Sequence, residues 1–246
     1  KTRLERGKNY HFYSTLGLFL AVAGSAILAT PAVAAAGWAV LAVLLAWLSG
    51  RLGWVSLSWQ CTLLLLAAAA GSGVLLAGIQ ALAGDPAAAW PEVGPWHLTV
   101  ASATVASLFV PVAHHSARWG RLSGVPQLVV LALSVWAVGG LLVAFLAPWV
   151  AGVPAEDADL GALAALRTGI LAGSAVTLAL SSLHPRWPEA RWLAYPVLIV
   201  IAVKLVIEDF PLGHPASLFV SLALVGGSMI AVSRLMGRKS AESGLR

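Results

Sequence analysis

The sequence predicts an all-α integral membrane protein, a bundle of about eight transmembrane helices with both termini on the cytoplasmic side. Three observations predict it. Hydrophobic residues make up 59% of the 246 residues and charged residues only 10%, where an ordinary soluble domain carries about 25% charge. The chain divides into apolar stretches of bilayer-crossing length, joined by short connections rich in helix breakers. Its Lys and Arg residues fall in alternate connections. So few polar side chains cannot cover a water-soluble surface, which excludes a cytosolic enzyme and a nucleic-acid-binding domain. The net charge of +5 is read as a marker of membrane orientation, not of a nucleic-acid partner. Cys61 is the single cysteine, so no intrachain disulfide and no thiolate metal cluster can form.

Eight spans are predicted, over residues 13–30, 32–49, 57–83, 97–117, 126–150, 161–183, 192–210 and 215–234. The first follows the basic residues Lys1, Arg3, Arg6 and Lys8, and Thr30-Pro31 separates it from the second. Ser49-Gly50 ends the second, and Gly84-Asp85-Pro86 ends the third. The fourth begins beside Trp96 and runs to the basic pair Arg118 and Arg121. Gly124-Val125-Pro126 opens the fifth and Gly152-Val153-Pro154 closes it. The sixth stops at His184-Pro185, the seventh at Phe210-Pro211, and the eighth at the basic Arg234, Arg238 and Lys239. The runs are continuous and rich in Leu and Ala, without the alternation of barrel strands. The basic start, the apolar run and Ala32-Val33-Ala34 also fit a signal peptide. Another apolar run follows at once, however, and cleavage would spoil the charge pattern, so the stretch is read as a span. The sequence has no initiator Met, and the expectation is a processed product or the C-terminal part of a longer chain.

Orientation follows from the basic residues. Those before the first span, with Arg51, Arg118, Arg121, Arg186, Arg191 and the C-terminal group, lie on one side if every stretch crosses once. The opposite connections hold Asp85, Glu92, Glu156, Asp157 and Asp159, with no Lys or Arg. Both termini are expected in the cytoplasm, and the location is expected to be a bacterial inner membrane. Trp90, Trp96, Trp119, Trp149, Trp187 and Trp192 fall at span ends, where indole anchors to the headgroup layer. Ser25 with Ala29, Gly71 with Gly73, and Gly226 with Gly227 are expected to let helices approach closely.

Charges inside spans are the most informative residues, because each is costly in hydrocarbon unless paired or hydrated. Arg167 and Lys204 lie well inside the sixth and seventh spans, each about 9 Å below the outer surface at 1.5 Å per residue. Lys204 and Glu208, four residues apart, share a helical face and are expected to pair. Asp209, about 100° further round, is placed to reach Arg167. With Gln80, His97 and His214 near the same level, these four residues outline a polar vestibule, a candidate ligand or ion-pair site. The competing reading is that both cations snorkel to the surface while Glu208 and Asp209 end the helix in water.

No catalytic residue is assigned. His114-His115 point about 100° apart on one helix and cannot ligate one metal together. A bis-histidine haem would need His184 as the partner, and no metal or cofactor is expected. Gly71-Ser72-Gly73 is read as part of an apolar helix, not as a nucleophile elbow. No phosphate loop or zinc spacing occurs.

The last two spans carry Arg191-Trp192-Leu193-Ala194-Tyr195-Pro196, then Lys204, then Asp209, and a final helix with Gly226-Gly227 and Ser233-Arg234 before Arg238. This hairpin resembles the C-terminal hairpin of a family of large bacterial multi-spanning membrane proteins of unknown function. The resemblance implies a helical array within a longer chain and marks Lys204 and Asp209 as a recurrent pair. The expected function is that of a non-catalytic accessory or scaffold component of a membrane assembly, with membrane lipids and other membrane subunits as partners. The alternative is a transporter or small-solute binder using the vestibule around Arg167 and Lys204.

Overall fold

Proline, glycine and side-chain caps set the helix boundaries. A computed structural model describes residues 3–85, 90–109, 124–152, 158–184 and 187–243, and among them there is no strand. The helices are α1 (Arg3–Leu28), α2 (Pro31–Leu52), α3 (Val55–Gly71), α4 (Val74–Ala83), α5 (Pro95–Phe109), α6 (Val125–Val150), α7 (Leu160–Ser181), α8 (Ala190–Leu212) and α9 (Pro215–Ser243). Pro31 opens α2, where its missing N–H is not needed. Gly53 closes that helix at φ 68°, and its N–H bonds the Ser49 carbonyl at 2.9 Å. At the start of α7 the Asp159 carboxylate accepts from the Ala162 N–H at 2.9 Å.

Five helices, α2, α6, α7, α8 and α9, are long and apolar enough to cross a bilayer, and a sixth crossing results if α3 and α4 form one bent span. The stretch expected as a single helix over 57–83 is therefore corrected to two. Gly73 sits at φ 80°, a left-handed conformation that no continuing α-helix contains, and the two helices bend by 69° at that break. In the first expected span the apolar helix is Phe12–Leu28. The fourth, 97–117, is described as far as Phe109.

Contacts gather into two units, Lys1–Leu75 with Gly94–Ser134, and Leu76–Val93 with Val135–Arg246. In the first, α2 lies against α3 and α5. Ala35, Ala39, Ala42 and Ala46 form its inner seam, each at most 1% exposed. Small side chains at this spacing let helix backbones come close, which is how apolar helices associate where burial from water gives no drive. Gly71 continues the logic, since a Cβ there would lie 3.1 Å from the Trp38 ring. The Trp38 indole donates to Ser25 Oγ at 2.8 Å, tying α1 to α2. Ser25 therefore serves as a hydrogen-bond acceptor as well as a small residue.

In the second unit α7 lies against both α8 and α9. Half of its most apolar window is buried, against 17% for α8 and 22% for α9, so α7 is the inner helix of this group. The outward residues of α8, among them Ile199, Val203, Val206 and Ile207, are apolar and more than half exposed, as suits a hydrocarbon surrounding. A close crossing joins α4 and α6, where a Cβ on Gly140 would come within 2.7 Å of the Gly78 Cα. Gly226 and Gly227 had been the expected close-approach pair on α9. They meet nothing within 4 Å, because α9 turns Ser221, Val225, Ser228 and Val232 inward instead.

This difference is measurable. Gly140→Val should lower unfolding stability in detergent by about 1–3 kcal/mol through overpacking. Gly226→Val, at an open position, should stay within about 0.5 kcal/mol of the parent. Equal losses in chemical denaturation would contradict the Gly78–Gly140 crossing.

Candidate functional site

Polar chemistry in the second unit concentrates at one place. Arg167 and Thr168 come from α7, Lys204 from α8, and Glu208 and Asp209 from the π-helical turn Leu205–Asp209 within α8. Arg167 and Asp209 are 1% exposed and Lys204 8%, so both cations turn into the protein and the snorkelling reading does not hold. Arg167 Nη1 donates to Glu208 Oε1 at 2.8 Å. Lys204 Nζ donates to Asp209 Oδ1 at 2.7 Å, to the Ala164 carbonyl at 3.0 Å and to Thr168 Oγ1 at 3.1 Å. Thr168 passes its own proton to Asp209 Oδ2 at 2.8 Å. Glu208 Oε2 lies 3.4 Å from Lys204 and bridges the two cations.

The expected Lys204–Glu208 pair forms at 3.4 Å, but the shortest bonds are not the expected ones. Sequence spacing had matched Lys204 with Glu208 and Asp209 with Arg167, whereas the short bonds are Lys204–Asp209 and Arg167–Glu208. The π-turn is the reason. The Phe210 N–H bonds the Leu205 carbonyl, five residues back, so the wider turn carries the fifth residue onto the face that the fourth holds in an α-helix. Pro211 supplies a local cause. It has no N–H for the Ile207 carbonyl, and its ring would collide with that carbonyl in a regular helix. The turn before it widens instead.

Arg167 also completes the end of another helix. Its Nη1 donates to the Gly84 carbonyl at 3.0 Å and its Nη2 to the Gln80 carbonyl at 3.3 Å. Both carbonyls lie at the C-terminal end of α4, which attracts a cation; that of Gln80 also accepts from the Gly84 N–H at 3.1 Å. Gly84 has no room for a side chain, since a Cβ would come within 2.4 Å of the Gln80 oxygen. Gln80 joins the cluster through its backbone, while the residue is exposed. Thr168, Ala164 and Gly84 were not singled out in the sequence. Thr168 adjoins Arg167, but nothing in the spacing marks a main-chain carbonyl as an acceptor.

His214 is exposed at the start of α9, and its backbone carbonyl accepts from Ser217 Oγ. His97 belongs to the first unit, and its Nδ1 accepts from the Gly94 N–H at 2.9 Å. Its Nε2 lies 3.7 Å from where a Cβ on Gly73 would stand. His184 is exposed, with its ring 5.8 Å from that of Trp187. His114 and His115 lie outside the described residues. Among the described residues no three His, Cys, Asp or Glu side chains group as a metal set.

Two cations and two carboxylates give the cluster no net charge. Lys204 has a partner for each of its three protons. Among the described residues Arg167 Nε has none. The arrangement is an interlocked pair of salt bridges. Against family models, curated proteins and solved structures alike, the sequence finds no match.

Arg167→Met should destabilise the fold by about 3–5 kcal/mol, because Glu208 and the two carbonyls lose their buried partner. Arg167→Met with Glu208→Met removes both charges of the pair and should recover most of that loss, since buried ion pairs replaced together are often near neutral. A double-mutant cycle in detergent unfolding checks this; strictly additive losses would show the two side chains to be uncoupled. Thr168→Val should cost about 1–3 kcal/mol, as both Lys204 and Asp209 lose a buried partner.

Proposed function

We propose that this chain is a non-catalytic membrane-embedded scaffold or accessory component of a larger membrane assembly. The observation that carries this reading is the closure of its buried charges upon one another. Arg167, Lys204, Glu208 and Asp209 join α7, α8 and the end of α4, and the net charge is zero. A site that takes a charged solute needs unspent charge of the opposite sign; here the charge is consumed in holding helices together. On this reading the cluster is a staple. The partners are lipids and other membrane subunits, the location is a bacterial inner membrane, and the basic ends lie on the cytoplasmic side.

A second reading, a transporter or small-solute binder, is favoured by one observation. The helix broken at Gly73 ends its second half, α4, at the cluster, and discontinuous helices commonly border transport sites. On that reading Gln80, His97 and His214 would belong to its vestibule.

One experiment separates the two. Cross-linking in native membranes, followed by purification, should return the same membrane protein partners in stoichiometric yield. The purified chain in liposomes should show no solute or ion flux above empty vesicles. Flux that Arg167→Gln abolishes while the protein still inserts would overturn the scaffold reading. Cysteine labelling of engineered sites near Lys8 and in the 86–89 connection checks orientation, with the first expected on the cytoplasmic face.

A further inference from the structure

Helices α2, α3, α5 and the start of α6 border a small, partly open cavity, whose lining includes Ser58, Cys61, Thr62, Ser107, Pro126 and Gln127 beside the apolar Ala46 and Val130, all within the first unit. Its volume is about 10 Å³ measured at the centre of a water-sized sphere, which is room for one water molecule. The hydroxyl protons around it are already committed. Thr62 Oγ1 donates to the Ser58 carbonyl at 3.0 Å, and Ser107 Oγ to the Thr104 carbonyl at 2.7 Å. Ser58 Oγ shares a 2.7 Å bond with Ser49 Oγ, whose proton goes to the Trp54 carbonyl. These side chains can therefore offer a guest only oxygen lone pairs.

Gln127 is different. It is 5% exposed, lines the cavity, and among the described residues its amide has no hydrogen-bond partner. An amide carries two donors and an acceptor, and leaving them unmet in a buried place is unfavourable. The guest must accept from Gln127, donate to hydroxyl oxygens and fit a water's volume. We propose that this cavity is a hydration site that takes one water molecule, held between the Gln127 amide and the hydroxyl oxygens of Ser107 and Thr62. Among the described residues no charged side chain lines it, so a bare cation of the same size would stand uncompensated. An apolar guest would leave Gln127 unpaired.

Cys61 makes the test specific, because it is the single cysteine and its S–H stretch is a unique infrared signal. The full chain is placed in lipid nanodiscs and transferred to D₂O. Cys61 should exchange to S–D promptly in the parent, and roughly tenfold more slowly in Gln127→Leu, whose cavity is dry. A high-resolution map of the parent should show one density peak within hydrogen-bond reach of the Gln127 amide, unchanged when Na⁺ or K⁺ is varied. Slow exchange in the parent equal to that of Gln127→Leu would overturn the proposal. So would an empty cavity, an acyl chain in it, or density that follows cation concentration. Should Gln127→Leu fail to fold, the parent map alone decides.

Discussion

A charged group moved from water into an apolar interior loses far more solvation energy than any single protein contact returns. The second unit places two cations and two carboxylates in such an interior, and its local geometry answers that constraint. Neither cation is left with one partner. Lys204 is held by a carboxylate, a hydroxyl and a carbonyl. Arg167 is held by a carboxylate and two carbonyls. The π-turn of α8 follows from the same demand: Asp209 reaches Lys204 only because five residues, not four, complete that turn. Pro211 makes the widening cheap, since a regular helix through it is already obstructed. The constraint thus runs from desolvation, through a proline, to the pairing of particular side chains.

The end of α4 depends on that cluster as well. A helix terminating away from water has carbonyls short of intrahelical donors; the Arg167 guanidinium supplies the donor at Gly84 and a second one at Gln80, which also accepts from the Gly84 N–H. The planar fork suits this task, because it reaches a carboxylate and two carbonyls at once, which a lysine's point charge could not arrange with the same directionality. Close contact of α4 with α6 at Gly78 and Gly140 requires that α4 be kept in place. The first unit is built on a different plan. Its cohesion comes from an alanine seam and neutral hydroxyl pairs such as Ser49–Ser58, which carry little desolvation penalty and need no counter-charge.

Much of this was legible in the residues, and what was not has identifiable causes. Continuous Leu- and Ala-rich runs between prolines and glycines marked the helices, because hydrophobic length and backbone breakers act locally. Matching the depths of Arg167 and Lys204 brought the four charged residues into one group, since a costly charge in a span must find its opposite. The expected Lys204–Glu208 pair is present at 3.4 Å, but Asp209 went to Lys204 and not to Arg167, because helical spacing assumes a regular α-helix and the π-turn is not visible in a periodicity count. The break at Gly73 was hidden for a similar reason: an apolar run reads as one helix whatever the φ of a glycine within it. Gly226-Gly227 misled because small residues permit close approach without causing it, and only the facing helix decides which glycines are used.

What the cluster excludes also bears on how such a chain can work. Opening it to a solute would expose at least one of its charges while α7, α8 and the end of α4 separate, and the penalty for an unpaired buried charge would oppose the motion. A transport cycle tolerates such a penalty only when the solute itself replaces the lost partner. All three Lys204 protons are engaged, and the Arg167 bonds go to a carboxylate and two carbonyls. The remaining N–H groups suffice to hold water, but with every charge paired they offer an ion no unspent charge. The chemistry therefore favours a rigid joint over a moving gate, one that fixes α8 to α7 while the apolar outer face of α8 stays exposed.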